Sequence, residues 1–121
     1  NQLLLIFHGK LHRWLQPGGH VDPSDISILH AVEREVREEV GLTDLRLVHN
    51  QQPIFDLDIH AIPARKSEPE HFHFDIRFAF CAQSLDFQAG SDATDGKWVP
   101  LGKVSTLESD ESVMRAVKKL I

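Results

Sequence analysis

Arg34-Glu35-Val36-Arg37-Glu38-Glu39-Val40-Gly41-Leu42 is the stretch on which the reading of this chain turns. Leu29, Val32, Val36 and Val40 recur at three- and four-residue steps, which predicts an amphipathic helix from Ser27 to Val40. Gly41 stands where a left-handed residue ends such a helix. At roughly 100° per residue, Glu35, Glu38 and Glu39 project over about one third of the circumference, beside the apolar stripe. Like charges at i,i+3 or i,i+4 repel by about 0.2–0.5 kcal/mol per pair. A bound hard cation removes that repulsion, because Mg²⁺ prefers carboxylate oxygens together with substrate phosphates. Arg34 can reach Glu38 and Glu33 can reach Arg37, both at i,i+4. On charge pattern alone, a solvated helix laced by these ion pairs is therefore the simpler account.

The flanking residues favour the metal-binding account. Gly18-Gly19-His20-Val21-Asp22 lies upstream, preceded by Trp14-Leu15-Gln16-Pro17. Together with the helical stretch these resemble the Nudix core, Arg-Glu-apolar-x-Glu-Glu-x-Gly-apolar, and the loop that leads into it. The spacing departs at one place. The family's box runs Gly, five residues, Glu, seven residues, Arg, whereas here Gly19 is followed by five residues, Asp25, eight residues and Arg34. This reads as a one-residue expansion with Asp in place of Glu, and a shorter carboxylate still suits a helix N-terminus.

The resemblance implies an α/β fold, a Nudix-like α-β-α sandwich with a mixed β-sheet, a catalytic loop–helix–loop and a C-terminal helix. It implies that Glu35, Glu38 and Glu39, with the Gly19 carbonyl, hold Mg²⁺ or Mn²⁺, and that Glu38, Glu39 and Arg34 are catalytic. Arg34 would orient a glutamate through a charge-assisted hydrogen bond. The implied reaction is hydrolysis of a diphosphate linkage in a nucleoside diphosphate joined to another moiety. A Gly-Gly-His-Val loop with a His-x-His-x-Asp-x-Arg strand is similar to one subgroup of that family.

Size and composition agree with a small enzyme. The 121 residues suffice for one domain, 1–121, with a modest core. Thirteen basic against 18 acidic residues give a net charge of −5, with no basic block, which argues against a dedicated nucleic-acid binder. A lone cysteine, Cys81, excludes an internal disulfide and favours a reducing, cytoplasmic compartment. No apolar run is long enough to span a membrane, and no signal peptide is visible. The chain opens at Asn1 and runs directly into Leu3–Phe7, which reads as mid-strand. The expectation is that part of the N-terminal strand region is missing, and such a segment would be placed to contribute to a homodimer.

Elsewhere, Leu3–Phe7 reads as a buried strand turning near Gly9–Lys10 into Leu11–Leu15, and Leu45–Val48 as a further strand. Phe55–Ala61 and His71–Phe80 alternate strictly between apolar and polar residues, so each has one core face and one polar face. Ile62–Glu70 connects them as a loop. Lys97–Val99 reads as a short strand and Ser109–Ile121 as a helix, giving an α/β layered domain.

The alternating strands raise a second set of candidates. His71, His73, Asp75 and Arg77 share one face, as do Asp56, Asp58 and His60. If these strands pair, they form a polar wall; His73, Asp75, Arg77 and Asp58 are the expected substrate contacts, and the wet face of a sheet is the bland account. The His71-x-His73 spacing also permits a transition-metal site. Asp92 and Asp95 fall in an expected loop before Trp98, where an extra acid or base would sit. Trp14 and Trp98 read as core or cleft-wall residues. The leading expectation is a Mg²⁺-dependent hydrolase of nucleotide-type diphosphates. The alternatives are a nucleotide-sensing module of little turnover, an isomerase on a prenyl diphosphate and a zinc-binding protein built on the histidines. No histidine context around Cys81 supports the isomerase.

Overall fold

The structure is a computed structural model, and it describes residues 1–9, 11–48, 54–88 and 93–121. The element order is β1 (Gln2–His8), β2 (Arg13–Leu15), α1 (Ile28–Val40), β3 (Leu45–Leu47), β4 (Ile54–Ile62), β5 (His71–Phe78), β6 (Phe80–Ala82), β7 (Ala93–Pro100), a 3-10 helix (Leu101–Thr106) and α2 (Glu111–Leu120). Two compact units emerge: one comprises Asn1–Arg46 and Ala82–Ile121, the other Leu47–Cys81.

In the first unit β1 is the central strand, paired antiparallel with β2 on one edge and β7 on the other. It is buried on both faces, which explains its unbroken apolar run. Leu4 and Ile6 pack with Val36 and Val40 of α1 and with Leu42. The other face presents Leu5, which packs with Val99, Val104 and the α2 residues Val113 and Val117. The two helices therefore cover opposite faces of one sheet, the α-β-α layering expected from the sequence.

Local chemistry sets the helix ends. Ser27 caps α1, its hydroxyl accepting from the His30 N–H at 3.0 Å. Gly41 closes it at φ 71°, donating to the Arg37 carbonyl at 2.9 Å. Asp110 caps α2 through Val113 N–H, and Lys118 and Lys119 sit in its last turn, where cations suit the helix dipole.

The second unit is built on an antiparallel hairpin of β4 and β5. Its register pairs Asp56 with Arg77, Asp58 with Asp75 and His60 with His73 on one face. Leu57 with Ile76, Ile59 with Phe74 and Ala61 with Phe72 alternate with these. The period-two alternation thus holds, but the apolar face is not the core face expected from the sequence: Leu57, Ile59, Phe72 and Phe74 are each more than half exposed, while Asp56, paired with Arg77 on the polar face, is buried. Two element boundaries also change. Ala79 breaks the expected strand His71–Phe80 into β5 and β6, β6 pairing with β3. The other change is to Lys97–Val99, which extends to Ala93–Pro100 because β1 offers a partner along its whole length. The 3-10 helix had no counterpart in the sequence reading.

Leu5→Ala, at 0% exposure, is expected to lower the unfolding free energy by about 2–5 kcal/mol. Leu57→Ala, at 51% exposure, should change it by roughly 0.5 kcal/mol or less. Urea denaturation of the two variants beside the parent chain measures the contrast.

Candidate active site

The Gly18–Asp25 segment runs against α1 and is tied to it chiefly by one guanidinium. Arg34 donates from Nε to Asp25 Oδ1 at 2.9 Å and from Nη2 to Asp25 Oδ2 at 3.0 Å, a bidentate pair. Its Nη2 also donates to the His20 carbonyl at 3.0 Å. Meanwhile Nη1 donates to Glu35 Oε1 at 3.0 Å and to Glu38 Oε2 at 3.1 Å. One side chain thereby fixes the loop on one edge and aims two of the expected metal ligands on the other.

Asp25 is the counterweight. Its side chain is fully covered, at 0% exposure. Besides Arg34 it accepts from Asp22 N–H at 2.7 Å and lies 3.1 Å from His30 Nδ1. The Arg34 hydrogen bonds, then the backbone N–H of Asp22, hold its carboxyl well below the usual carboxylate range. Arg34 is correspondingly held above its ordinary value, first by Asp25. Asp25 therefore anchors the loop through Arg34, despite the irregular spacing in the sequence.

The glycines complete the arrangement. Gly18 N–H donates to Glu39 Oε2 at 2.8 Å. A Cβ built on Gly19 would run into the carboxylate of Glu35, whereas one built on Gly18 would meet nothing within 4 Å. Gly19 thus leaves room for the Glu35 carboxylate, which a side chain there would push out of the position in which Arg34 holds it. Three carboxylates would offer all-oxygen donors of the kind suited to a hard divalent cation. Among the described residues, however, Glu35, Glu38 and Glu39 do not close as a trio within 4.8 Å of one another. Arg34 Nη1 stands between Glu35 and Glu38.

The other sequence candidates are distributed as follows. Arg77 pairs with buried Asp56, donating from Nε at 3.0 Å and also from Nη2. Asp58 and Asp75 face each other across the hairpin, with His60 against both. His73 lies opposite His60, their ring centroids 6.0 Å apart. Asp95 is not in a loop: it belongs to β7, opposite Phe7, because β7 pairs with β1 further than its sequence suggests. Its Oδ1 accepts from Gly96 N–H at 2.8 Å. Asp92 lies outside the described residues. Trp14 packs edge-on to Phe7 at 5.4 Å, and Trp98 donates to the Leu85 carbonyl at 2.8 Å, so both are wall residues. The contributions of His30 and the His20 carbonyl were not anticipated; the positions of their contacts depend on how the loop folds back.

The chain belongs to the NUDIX family: the NUDIX domain model matches residues 1–120. No curated protein matches the sequence. Solved structures of similar fold include the C. elegans Ap4A hydrolase binary complex, with TM-score 0.66, 20% identity, and coverage of 98% of this chain and 82% of that one. The NUDIX domain of Shewanella oneidensis NrtR complexed with ADP ribose gives 0.64 at 15% identity, covering 98% and 75%. Mutator MutT protein from Bacillus halodurans gives 0.62 at 22% identity, covering 97% and 72%.

Since the Asp25 carboxyl is depressed in the folded chain, its contribution to stability is complete above the unfolded value near pH 4 and declines as pH falls below it. Asp25→Asn should therefore lower the melting temperature at neutral pH, and the gap from the parent chain should narrow on acidification below about pH 4. Thermal melts of both chains across that range provide the comparison.

Proposed function

We propose that this chain is a Mg²⁺- or Mn²⁺-dependent pyrophosphohydrolase that cleaves the diphosphate linkage of a nucleoside diphosphate joined to another moiety. The observation that supports it most is the shared guanidinium: Arg34 holds Asp25, Glu35 and Glu38 in one hydrogen-bonded unit beside the Gly18–Gly19 loop. A merely solvated helix has no need of a covered aspartate or of a glycine pressed on a glutamate. Ap4A and ADP ribose in the names of proteins of similar fold belong to the same substrate class. The Gly18-Gly19-His20-Val21 loop and the His71-x-His73-x-Asp75-x-Arg77 strand support, in this reading, kinship with one subgroup of the family that carries the same two motifs.

Glu35, Glu38, Glu39 and the Gly19 carbonyl would hold the cation. When bound, it supplies charge neutralisation at the phosphate oxygens and a more acidic water. The protein's part is preorganisation. Arg34 keeps Glu35 and Glu38 aimed, and Gly18 N–H fixes Glu39 by one oxygen. Glu38, with its side chain 57% exposed, is the carboxylate most open to solvent among the two that Arg34 holds, and takes the proton of the attacking water in this scheme. The sensing alternative binds the same nucleotides without turning them over.

The deciding experiment is a panel of nucleoside di- and triphosphates, sugar nucleotides, dinucleoside polyphosphates and capped nucleotides, assayed for phosphate and nucleotide release with Mg²⁺ or Mn²⁺. Cleavage should vanish on chelation and fall by about 10²-fold or more in Glu38→Gln. Tight binding of a panel member without cleavage would favour the sensing module instead. Gly19→Ala should impair turnover through Glu35, whereas Gly18→Ala should leave it within a few fold, as kcat measurements on the pair would reveal.

A further inference from the structure

The polar face of the β4–β5 hairpin gathers a second, chemically different donor set within its own unit. Asp58 and Asp75 are register partners, and like charges directly opposed on one sheet face repel. His60, one step along the same face, lies between them: Nε2 is 3.0 Å from Asp75 Oδ2 and Nδ1 is 3.5 Å from Asp58 Oδ2. A neutral imidazole carries one N–H, so it can donate to one of these carboxylates and must turn a lone pair toward the other. That leaves one acid facing a nitrogen lone pair, an arrangement that a cation resolves.

We infer that Asp58, His60 and Asp75 form a binding site for a divalent transition-metal ion of the Zn²⁺ or Co²⁺ type. One ligand atom from each of the three lies within 4.8 Å of the others. Donors bound to one zinc-type ion at about 2.0–2.1 Å sit roughly 3.3 Å apart, so the His60–Asp75 edge already has ligand spacing, while Asp58 faces the other imidazole nitrogen and would have to close in on the pair. Imidazole selects such ions over Mg²⁺, which the all-oxygen set on α1 prefers. Access is open, since the His60 and Asp75 side chains are 48% and 45% exposed. His73, directly across from His60, is the nearest candidate for a fourth ligand on this face.

The sequence alone pointed to His71 and His73, neighbours on a single strand. The His71 ring stays 5.1 Å from that of His73, but its nitrogens face other oxygens: Nδ1 is 2.9 Å from the Pro69 carbonyl and Nε2 is 3.8 Å from Glu68. Cross-strand register, not His-x-His spacing, assembles the site. This site requires no nucleotide hydrolysis and stands or falls separately from the proposed activity.

The test is titration of the whole chain with Co²⁺ in excess Mg²⁺, followed by visible absorption and by isothermal calorimetry. One equivalent is expected to bind with visible bands of an imidazole-containing site, and Zn²⁺ should displace it. His60→Ala and Asp75→Asn should each weaken binding at least tenfold, while Glu38→Gln leaves it unchanged, with circular dichroism checking that every variant is folded. Absence of saturable Co²⁺ binding overturns the proposal and leaves His60 as a hydrogen-bonded bridge between two acids. Binding that survives in both folded hairpin variants, or that is lost in Glu38→Gln, overturns it equally.

Discussion

One guanidinium holds the Gly18–Asp25 segment and the acidic face of α1 together. Arg34 has five N–H groups in a rigid plane, and the structure directs them at a covered aspartate, a loop carbonyl and two glutamates. Lysine has the charge but not the fork, and it could not serve these partners at once. Without this hub, Glu35 and Glu38 would repel each other on adjoining turns, and the Gly18–Asp25 segment would lose its main attachment to α1. Because Asp25 is itself held by Asp22 N–H and by His30, the guanidinium is positioned from both ends.

That arrangement is only as rigid as the helix beneath it. α1 is seated through Val36 and Val40 on one face of β1, and α2 is seated on the other through Val113 and Val117. The carboxylates emerge beside the buried stripe, so the residues that fix the helix and those that present the acids alternate along the same thirteen positions. Packing and chemistry are thereby coupled: a change that rolls α1 on β1 also moves Glu35 and Glu38 relative to the glycine loop.

Helix α1 was legible because its determinants are local: a stripe of Leu29, Val32, Val36 and Val40 and a terminal glycine, each read from spacing of four residues or fewer, whereas its cap, Ser27, emerged only from the structure. The hairpin faces were legible for the same reason, through strict alternation. What spacing does not carry is partnership. β7 contains Asp95, Gly96 and Lys97 in succession, with no alternation to extend it, and its length is dictated by β1. Asp56 and Arg77 look like members of a wet face until register makes them an ion pair of largely buried side chains. Asp25 stands one residue off the family spacing, and only the fold of the loop shows that it still reaches Arg34.

The central position of β1 also bears on the order in which the chain can assemble. Its two partners lie at very different distances: β2 follows within a short turn, whereas β7 begins more than eighty residues later. The β4–β5 hairpin joins neighbours in sequence and can form early, on the microsecond scale typical of hairpins, about 1–10 μs. Closure of the first unit, by contrast, must await β7 and α2, and until then one edge and one face of β1 stand open. Such long-range pairing slows folding and prolongs the exposure of an apolar strand. The strand that organises the finished domain is thus also the one most dependent on chaperoning while the rest of the chain is made.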